Sequence, residues 1–229
     1  MAQLIIHAKP SRLYRYRSGR HVQREIAALL SNSLYCSRFD CQNDPMEGFF
    51  EARRSLLDDP NHQQSIEKVL LAKHQTRICS FTESKDHELM WAHYADQFEG
   101  FCVSYKTKSL LEYLPDYVDL VPIHYSENPP KLGTVGQNAE KFILSHKHYR
   151  WLYEREWRIL TPAAEDSEYI KLQYSEQCAS KVYLGPRMSN ENRSYMIEQL
   201  AGSKITVSAM VIKNYKIVEQ PLSGFPLRG

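Results

Sequence analysis

The segment Glu154-Arg-Glu156-Trp-Arg158 places two carboxylates and a guanidinium at alternate positions. It runs into apolar and β-branched residues, so the alternation predicts a strand that begins at Glu154 and enters a core. Side chains two apart share one face of a strand, and the two carboxylates are therefore expected about 6.5 Å apart. Such a pair can position a hydroxyl group and stabilise a developing positive charge. An exposed ladder of Glu and Arg side chains is the structural alternative.

Two other predicted strands carry side chains that suit a phosphate, a ribose or a carboxylate. Tyr14-Arg15-Tyr16 lies in a strand over residues 13–17, where a planar guanidinium between two tyrosines could clamp a phosphate. Ser80 and Thr82 lie two apart in a strand over residues 77–82 and present two hydroxyls on one face. Ordinary polar positions on half-exposed strands would explain both patterns without a function.

Three predicted helices position the remaining candidates. Asn43-Asp44-Pro45 is typical of a helix start, with Asp44 as the cap and the proline at the first helical position. The segment Trp91-Ala-His93-Tyr94 is assigned to a second helix, where core packing of a hydrogen-bonded histidine is the structural alternative. A helix over residues 138–151 would end in a run of cations and aromatics that could stack bases or grip a backbone. Because His146 and His148 would then point apart, no metal site is predicted.

Composition limits the class of protein. The chain has 229 residues, a formal net charge of +2 and 42% hydrophobic residues, which fits one globular domain over residues 1–219 and a flexible tail over 220–229. No apolar run approaches a membrane span. Five scattered cysteines without a C-x-x-C pair indicate a reducing, cytoplasmic compartment. Helices that come early and strands that are distributed without a β-α-β rhythm predict the α+β class.

The order of these motifs resembles the bacterial family DUF2971. The segments that carry the resemblance are Leu13-Tyr-Arg-Tyr-Arg17, Leu34-Tyr-Cys-Ser37 with Asn43-Asp-Pro-Met-Glu47, Ile78-Cys-Ser-Phe-Thr-Glu83, Met90-Trp-Ala-His-Tyr-Ala-Asp96 with Gly100-Phe101, and Glu154-Arg-Glu-Trp-Arg158. They span residues 13 to about 212 in a fixed order. Each motif alone is weak, and their joint order is what makes the resemblance specific.

An early arginine, a Ser-x-Thr strand and a Glu-x-Glu strand, in that order, also resemble the signature of ADP-ribosyltransferases. This resemblance implies a split β-sheet that holds NAD+ as co-substrate without a metal. It implies that Glu156 holds the ribose 2′-hydroxyl and that Glu154 helps activate the acceptor, while the choice between Arg15 and Arg17 for the NAD+ contact stays open. The NAD+-contacting residues it implies are Tyr14, Arg15, Tyr16, Asn43, Ser80, Thr82, His93 and Tyr94, and the target-binding residues are Tyr149, Arg150, Trp151 and Tyr153.

The function that follows from the resemblance is NAD+-dependent mono-ADP-ribosylation by a bacterial toxin or phage-defence effector. Its partners would be NAD+, a protein, RNA or DNA acceptor, and an antitoxin or regulatory protein, with no membrane. An NAD+ glycohydrolase would use the same cleft with water as the acceptor. A metal-dependent nuclease would use Asp44, Glu47, Glu154 and Glu156 as ligands, but the chain lacks the lysine of a Glu-x-Lys strand. A non-catalytic binding module is the fourth hypothesis.

Overall fold

The computed structural model describes residues 9–133, 136, 138–163 and 167–222. Helices and strands are mixed along the chain, which is compatible with the predicted α+β class. The helices are α1 (Val22–Leu30), α2 (Arg54–Leu57), α3 (His62–His74), α4 (Glu88–Tyr94), α5 (Thr107–Tyr113), α6 (Ala139–Leu144) and α7 (Asn190–Leu200). The strands are β1 (Arg12–Arg17), β2 (Ser33–Arg38), β3 (Glu51–Ala52), β4 (Thr76–Thr82), β5 (Phe101–Lys106), β6 (Asp119–Pro122), β7 (His124–Ser126), β8 (Lys131–Leu132), β9 (His146–His148), β10 (Glu156–Pro162), β11 (Tyr169–Gln173), β12 (Ala179–Leu184), β13 (Thr206–Lys213) and β14 (Lys216–Pro221).

The described chain divides into two compact units. The first unit comprises residues 9–33, 81–114 and 173–222, and the second comprises the described parts of 34–80 and 115–172. The predicted single domain over residues 1–219 stays a prediction. No helix in the described ranges is both long and apolar enough to cross a bilayer.

The first unit is built on a sheet with the order β1-β5-β12-β13-β14. Neighbouring strands are antiparallel except for the parallel pair β12 and β13. Both faces of the central strands bury apolar side chains, among them Leu13, Val103 and Leu184, so these strands read as nearly continuous hydrophobic runs. A glycine is required at position 100, immediately before β5, because a Cβ there would lie 2.1 Å from the Arg17 carbonyl oxygen.

Local patterns in the first unit match the sequence-based expectations at two elements. The predicted strand over residues 13–17 is β1. The spacing of Val22, Ile26, Leu29 and Leu30 predicts an amphipathic helix over about residues 20–31, and α1 forms there with Val22, Ile26 and Leu29 buried. The predicted tail begins inside β14, where Gln220 pairs with Ala209. Residues 223–229 of that tail lie outside the described residues.

The second unit combines the strands β2, β4, β6, β10 and β11 with two small parallel pairs. Strands β2 and β4 are antiparallel, as are β6 and β10. The pairs β3–β8 and β7–β9 are parallel. Its apolar core holds α3 against α6 and has as its buried members Leu56, Val69, Leu132, Ala139 and Ile143. A smaller cluster of Ile78, Leu144 and Leu160 lies under β4 and β10.

Candidate functional site

The strand that carries the glutamates begins two residues later than predicted. Residues 149–154 form a 3-10 helix, and Arg155 ends it with φ 43° and ψ 52° in the left-handed region. Strand β10 starts at Glu156. Glu154 therefore lies at the end of the helix and not on the strand, so the prediction of one strand face for all three charged residues was wrong for Glu154. Residues other than glycine, asparagine and aspartate rarely adopt this left-handed backbone conformation, and because position 155 is an arginine, the residue type does not predict the break.

Arg158 uses all five of its N–H groups inside the second unit. Its Nη1 and Nη2 donate to the two carboxylate oxygens of Glu47 at 2.6 and 2.7 Å. Its Nε and Nη2 donate to Glu156 at 2.8 and 3.1 Å, and Nη1 also donates to the Leu144 carbonyl at 2.7 Å. The guanidinium is 1% exposed, so this is a fully desolvated bidentate pair with a second carboxylate attached. The prediction that Glu156 and Arg158 share a strand face is confirmed.

Lys147 joins the two glutamates that the sequence singled out. Its Nζ donates to Glu154 Oε2 at 2.6 Å and to Glu156 Oε2 at 3.2 Å. The ammonium also lies 4.8 Å from the centroid of the Trp151 ring. The lysine and both glutamates have side chains no more than 6% exposed. The two carboxylates thus converge through a shared cation and not through strand alternation.

These five residues, Glu47, Lys147, Glu154, Glu156 and Arg158, are called the charged cluster below. Burial alone would raise the pKa of Glu156, but Arg158 and Lys147 outweigh it and lower that pKa to about 2. Burial likewise opposes the charge of Lys147, and Glu156 and Glu154 reverse this and raise the pKa of the lysine. With all five groups ionised, three carboxylates face two cations. A third buried cation, Lys73, interacts electrostatically with Glu47, so three carboxylates and three cations lie in this desolvated region.

Two neighbours complete the surroundings of Glu156. The Tyr125 hydroxyl accepts a hydrogen bond from the Glu156 amide at 2.8 Å, and burial raises the pKa of this tyrosine. The Ser80 Oγ is buried without a partner in hydrogen-bond geometry, yet it lies near enough to Glu156 to help lower the pKa of that carboxyl. The structure thus brings together the predicted pair of Ser80 and Glu156.

Glu47 enters the cluster by a turn and not by the predicted helix. Residues 45–48 form a turn, in which Asp44 Oδ1 accepts from the Met46 amide at 3.0 Å, and Gly48 follows with φ 72°. Pro45 and the left-handed Gly48 favour a tight turn, which prevents a helix from continuing through this segment. Asn43 lies in the bend that precedes this turn. The prediction that a helix starts at Asp44 and Pro45 was therefore wrong.

The predicted helix over residues 138–151 was also wrong beyond its first half. Helix α6 ends at Leu144, and His146–His148 form β9, which pairs in parallel with β7. The β-strand puts His146 and His148 on one face, whereas a helix would have separated them. It also turns Lys147 to the opposite face, toward the glutamates. The pairing partner of β9 lies about twenty residues upstream, which periodicity within the segment does not reveal.

The four predicted target-binding residues, Tyr149, Arg150, Trp151 and Tyr153, all lie on the 3-10 helix that precedes Glu154. Tyr149 is 45% exposed and Arg150 is exposed. Trp151 and Tyr153 are half-buried, with ring centroids 6.1 Å apart. The segment thus presents an exposed aromatic and a cation to solvent beside the charged cluster.

The other predicted NAD+ contacts, Tyr14, Arg15, Tyr16, Thr82, His93 and Tyr94, lie in the first unit. Tyr16 donates to the Ser84 carbonyl and packs edge-on against Trp91. Thr82 Oγ1 accepts from the Ser84 amide, and the His93 and Tyr94 rings are neighbours at 6.3 Å. The predicted set is distributed over both units.

Arg15 and Arg17 of β1 are the two candidates for the NAD+ contact. Arg17 is bound by Glu25, whose carboxylate accepts from Nε at 2.6 Å and from Nη2. Arg15 is half-buried in the same strand, opposite Val103 of β5. Arg15 also acts on the Glu25 carboxylate, whose pKa both arginines help to lower, so neither arginine is favoured for a phosphate contact.

A pocket of about 130 Å³ opens beside the charged cluster within the second unit. It is lined by Met46, Phe49, Ser126, Glu127, Asn128, Pro129, Pro130, His146, Lys147 and His148. Lys147 belongs to both the pocket and the cluster, so a molecule in this pocket would contact the residue that bridges the two glutamates. Sequence reasoning missed Lys147 and the pocket, because both depend on the pairing of β7 with β9.

The geometry bears on the metal-dependent alternative. Three of its four proposed ligands, Glu47, Glu154 and Glu156, have carboxylates that bind Arg158 or Lys147. Among the described residues no group of three His, Cys, Asp or Glu side chains is arranged to hold a metal ion. The donor set is that of an ion-pair network.

Comparison with known proteins adds one finding. The family model "Protein of unknown function (DUF2971)" matches residues 90–159. The predicted DUF2971 assignment is thereby confirmed over that segment. The DUF2971 match includes α4 from Met90 onward, Lys147, the 3-10 helix and all of the Glu154-to-Arg158 motif. Neither the curated proteins nor the solved structures contain a match to the chain.

Proposed function

We propose that the protein is a cytoplasmic NAD+-dependent mono-ADP-ribosyltransferase with its catalytic carboxylates in the charged cluster. The observation that carries the proposal is the convergence of the buried carboxylates of Glu154 and Glu156 on Lys147. Loss of nicotinamide from NAD+ leaves a ribosyl centre with oxocarbenium character, which carboxylates stabilise. A fixed negative charge in a site shielded from water contributes more to this than one in water.

The roles of the residues follow from the reaction. The bond between ribose C1′ and the nicotinamide nitrogen breaks, and its electron pair leaves on nicotinamide. The acceptor forms the new bond to C1′, and its proton passes to Glu154. Glu156 accepts a hydrogen bond from the ribose 2′-hydroxyl, with Ser80 as the neighbouring hydroxyl. The split sheet of the ADP-ribosyltransferases is the fold that this proposal entails.

Access to Glu156 requires a change in its pairing. The carboxylate is 6% exposed, and one of its oxygens accepts from both Lys147 and Arg158. The Arg158 guanidinium also binds the Glu47 carboxylate and the Leu144 carbonyl, whereas the Lys147 ammonium lies at the end of a flexible four-carbon side chain. Lys147 is the member that moves aside when substrate binds, and Arg158 keeps Glu156 ionised and oriented.

Incubation with radiolabelled NAD+ tests the proposal. The purified protein is incubated alone and with bacterial lysate, and the Glu156→Gln variant is treated in the same way. Label on a macromolecule with the wild type alone supports a transferase and reveals the class of the acceptor. Free ADP-ribose without lysate supports the NAD+ glycohydrolase instead. Equal labelling by the variant would contradict the role of Glu156.

The second candidate function is a non-catalytic binding module. The burial of both glutamates and the saturation of Arg158 favour it, since an ion-pair network can serve folding alone. It predicts that the protein leaves NAD+ intact with and without lysate, and that Glu156→Gln changes stability without changing any chemical product.

A further inference from the structure

The pocket beside Lys147 has the size and walls of a site for a single flat ring. Its volume of about 130 Å³ is near that of the engineered apolar cavity of roughly 150 Å³ that binds benzene. Met46, Phe49, Pro129 and Pro130 supply apolar surface. Phe49 is 62% exposed and Met46 47% exposed, so a large apolar surface faces solvent at the pocket. Exposed aromatic surface that lines a concavity is a mark of a binding site.

The two histidines on the pocket wall offer one acceptor and one donor. His146 Nδ1 lies 2.6 Å from the Phe142 carbonyl, so this nitrogen carries the proton and Nε2 is left as an acceptor. Burial lowers the pKa of His146, which keeps the ring neutral near pH 7. His148 Nδ1 accepts from the Arg150 amide at 3.3 Å, so its Nε2 carries the proton and can donate. An acceptor and a donor on one strand face match the mixed edge of a nucleobase.

Two exposed arginines follow the pocket-lining residue His148 along the chain. Arg150 and Arg155 are exposed, and neither side chain makes an ion pair or a hydrogen bond with any residue in the described part of the chain. Both belong to or adjoin the 3-10 helix on which Tyr149 is exposed. Glu127 is the acidic residue among those that line the pocket. Arginines interleaved with exposed aromatics are the combination that binds a single-stranded nucleic-acid backbone.

We propose that this pocket receives one unstacked base of a single-stranded nucleic acid, whose phosphates are bound by Arg150 and Arg155. A duplex would not fit, because its bases are stacked and their edges paired. The inference names the acceptor class of the transferase and in that respect rests on the proposed function. The binding step itself needs no NAD+.

Fluorescence anisotropy with short labelled oligonucleotides tests the inference. Single-stranded DNA, single-stranded RNA and duplex DNA of one sequence are titrated with the protein at low and high salt. Binding is expected to favour single strands and to weaken with salt. The DNA and RNA arms decide between the two sources of the same chemistry.

Matched variants show whether the pocket is responsible. Phe49→Ala is expected to weaken single-strand binding by about fivefold or more, since stacking on an aromatic is lost. Tyr215→Ala removes an aromatic that is 98% exposed in the first unit and should have no effect. The double variant Arg150→Gln, Arg155→Gln should weaken binding and reduce its salt dependence, whereas Arg54→Gln, Arg187→Gln removes two other exposed arginines and should do neither.

The results that would overturn this inference differ from those that would overturn the proposed function. Absence of single-strand binding, or equal binding by Phe49→Ala and Tyr215→Ala, would overturn the inference whether or not NAD+ is consumed. Label transferred from NAD+ to lysate protein and not to nucleic acid would overturn it as well, and would leave the transferase standing. Circular dichroism of each variant checks that it is folded.

Discussion

The interiors of the two units differ in kind. Among the described residues, the buried charged side chains of the second unit are Asp44, Glu47, Lys73, Arg77, Lys147, Glu154, Glu156 and Arg158, while the first unit buries only Arg193. The first unit is held by apolar packing across its sheet. Burying charges costs several kcal/mol per ion unless each is paired and hydrogen-bonded. A fold that needed only stability could fill the same space with apolar side chains, so the contrast marks the second unit as the place where chemistry is expected.

The sharpest test of this contrast removes one cation from the charged cluster. Arg158→Met would remove the guanidinium that binds both Glu47 and Glu156, and we expect a loss of about 3–5 kcal/mol in the free energy of unfolding. Urea unfolding followed by circular dichroism measures it. In the first unit, Leu184→Ala removes a fully buried side chain and should cost about 2–5 kcal/mol through the cavity alone. An Arg158→Met protein as stable as the wild type would contradict the account.

The pH dependence of the free energy of unfolding should differ between the buried charges of the second unit and the apolar interior of the first. The pKa of Glu156 falls from its ordinary 4.5 to about 2 on folding, so the unfolded chain binds more protons between these values. The contribution of Glu156 is complete above pH 4.5 and is lost as the pH falls toward 2. The difference in unfolding free energy between wild type and Glu156→Gln should therefore shrink by an amount on the order of 3 kcal/mol over that window.

Leu184→Ala is the control for this pH prediction, because no titrating group is removed. Its difference from the wild type should stay constant from pH 7 downward. A constant difference for Glu156→Gln as well would mean that the carboxylate is not held ionised by Arg158 and Lys147.

The smallest effect is expected at an exposed ion pair. Lys108 and Glu112 form an i,i+4 pair on α5 of the first unit at 3.7 Å, with side chains 88% and 63% exposed. Lys108→Ala should change the free energy of unfolding by no more than about 0.5 kcal/mol, and added salt should reduce the change further. A loss as large as that of Arg158→Met would remove the distinction between buried and exposed charges on which the comparison depends.

Sequence reasoning captured the elements that depend on local pattern. The strand β1, the helix α1 and the alternation of Glu156 with Arg158 follow from side-chain periodicity. The family resemblance is confirmed over residues 90–159. The exposed arginine and tyrosine before the Glu-x-Glu motif were named as target-binding residues, and their role stays a prediction.

The features that were predicted wrongly depend on contacts between residues that are far apart in the sequence. Lys147 was assigned to a helix, because the residues around it do not indicate that β9 pairs with β7. Glu47 was considered as a ligand of the metal-dependent nuclease, whereas its carboxylate binds an arginine 111 positions later in the chain. The left-handed Arg155 moved Glu154 off the strand. Each of these is set by tertiary contacts, which override local propensity.

The most direct test of the central claim is the rate of nicotinamide release from NAD+ by the wild type and by Glu156→Gln, with an acceptor lysate present. Gln preserves the shape of the side chain and leaves two carboxylates facing two cations, so the variant is expected to fold. The account predicts release by the wild type and a loss of about a hundredfold or more in the variant, the scale of removing one electrostatic catalytic group. Equal release by both proteins, or none by a folded wild type, would contradict it.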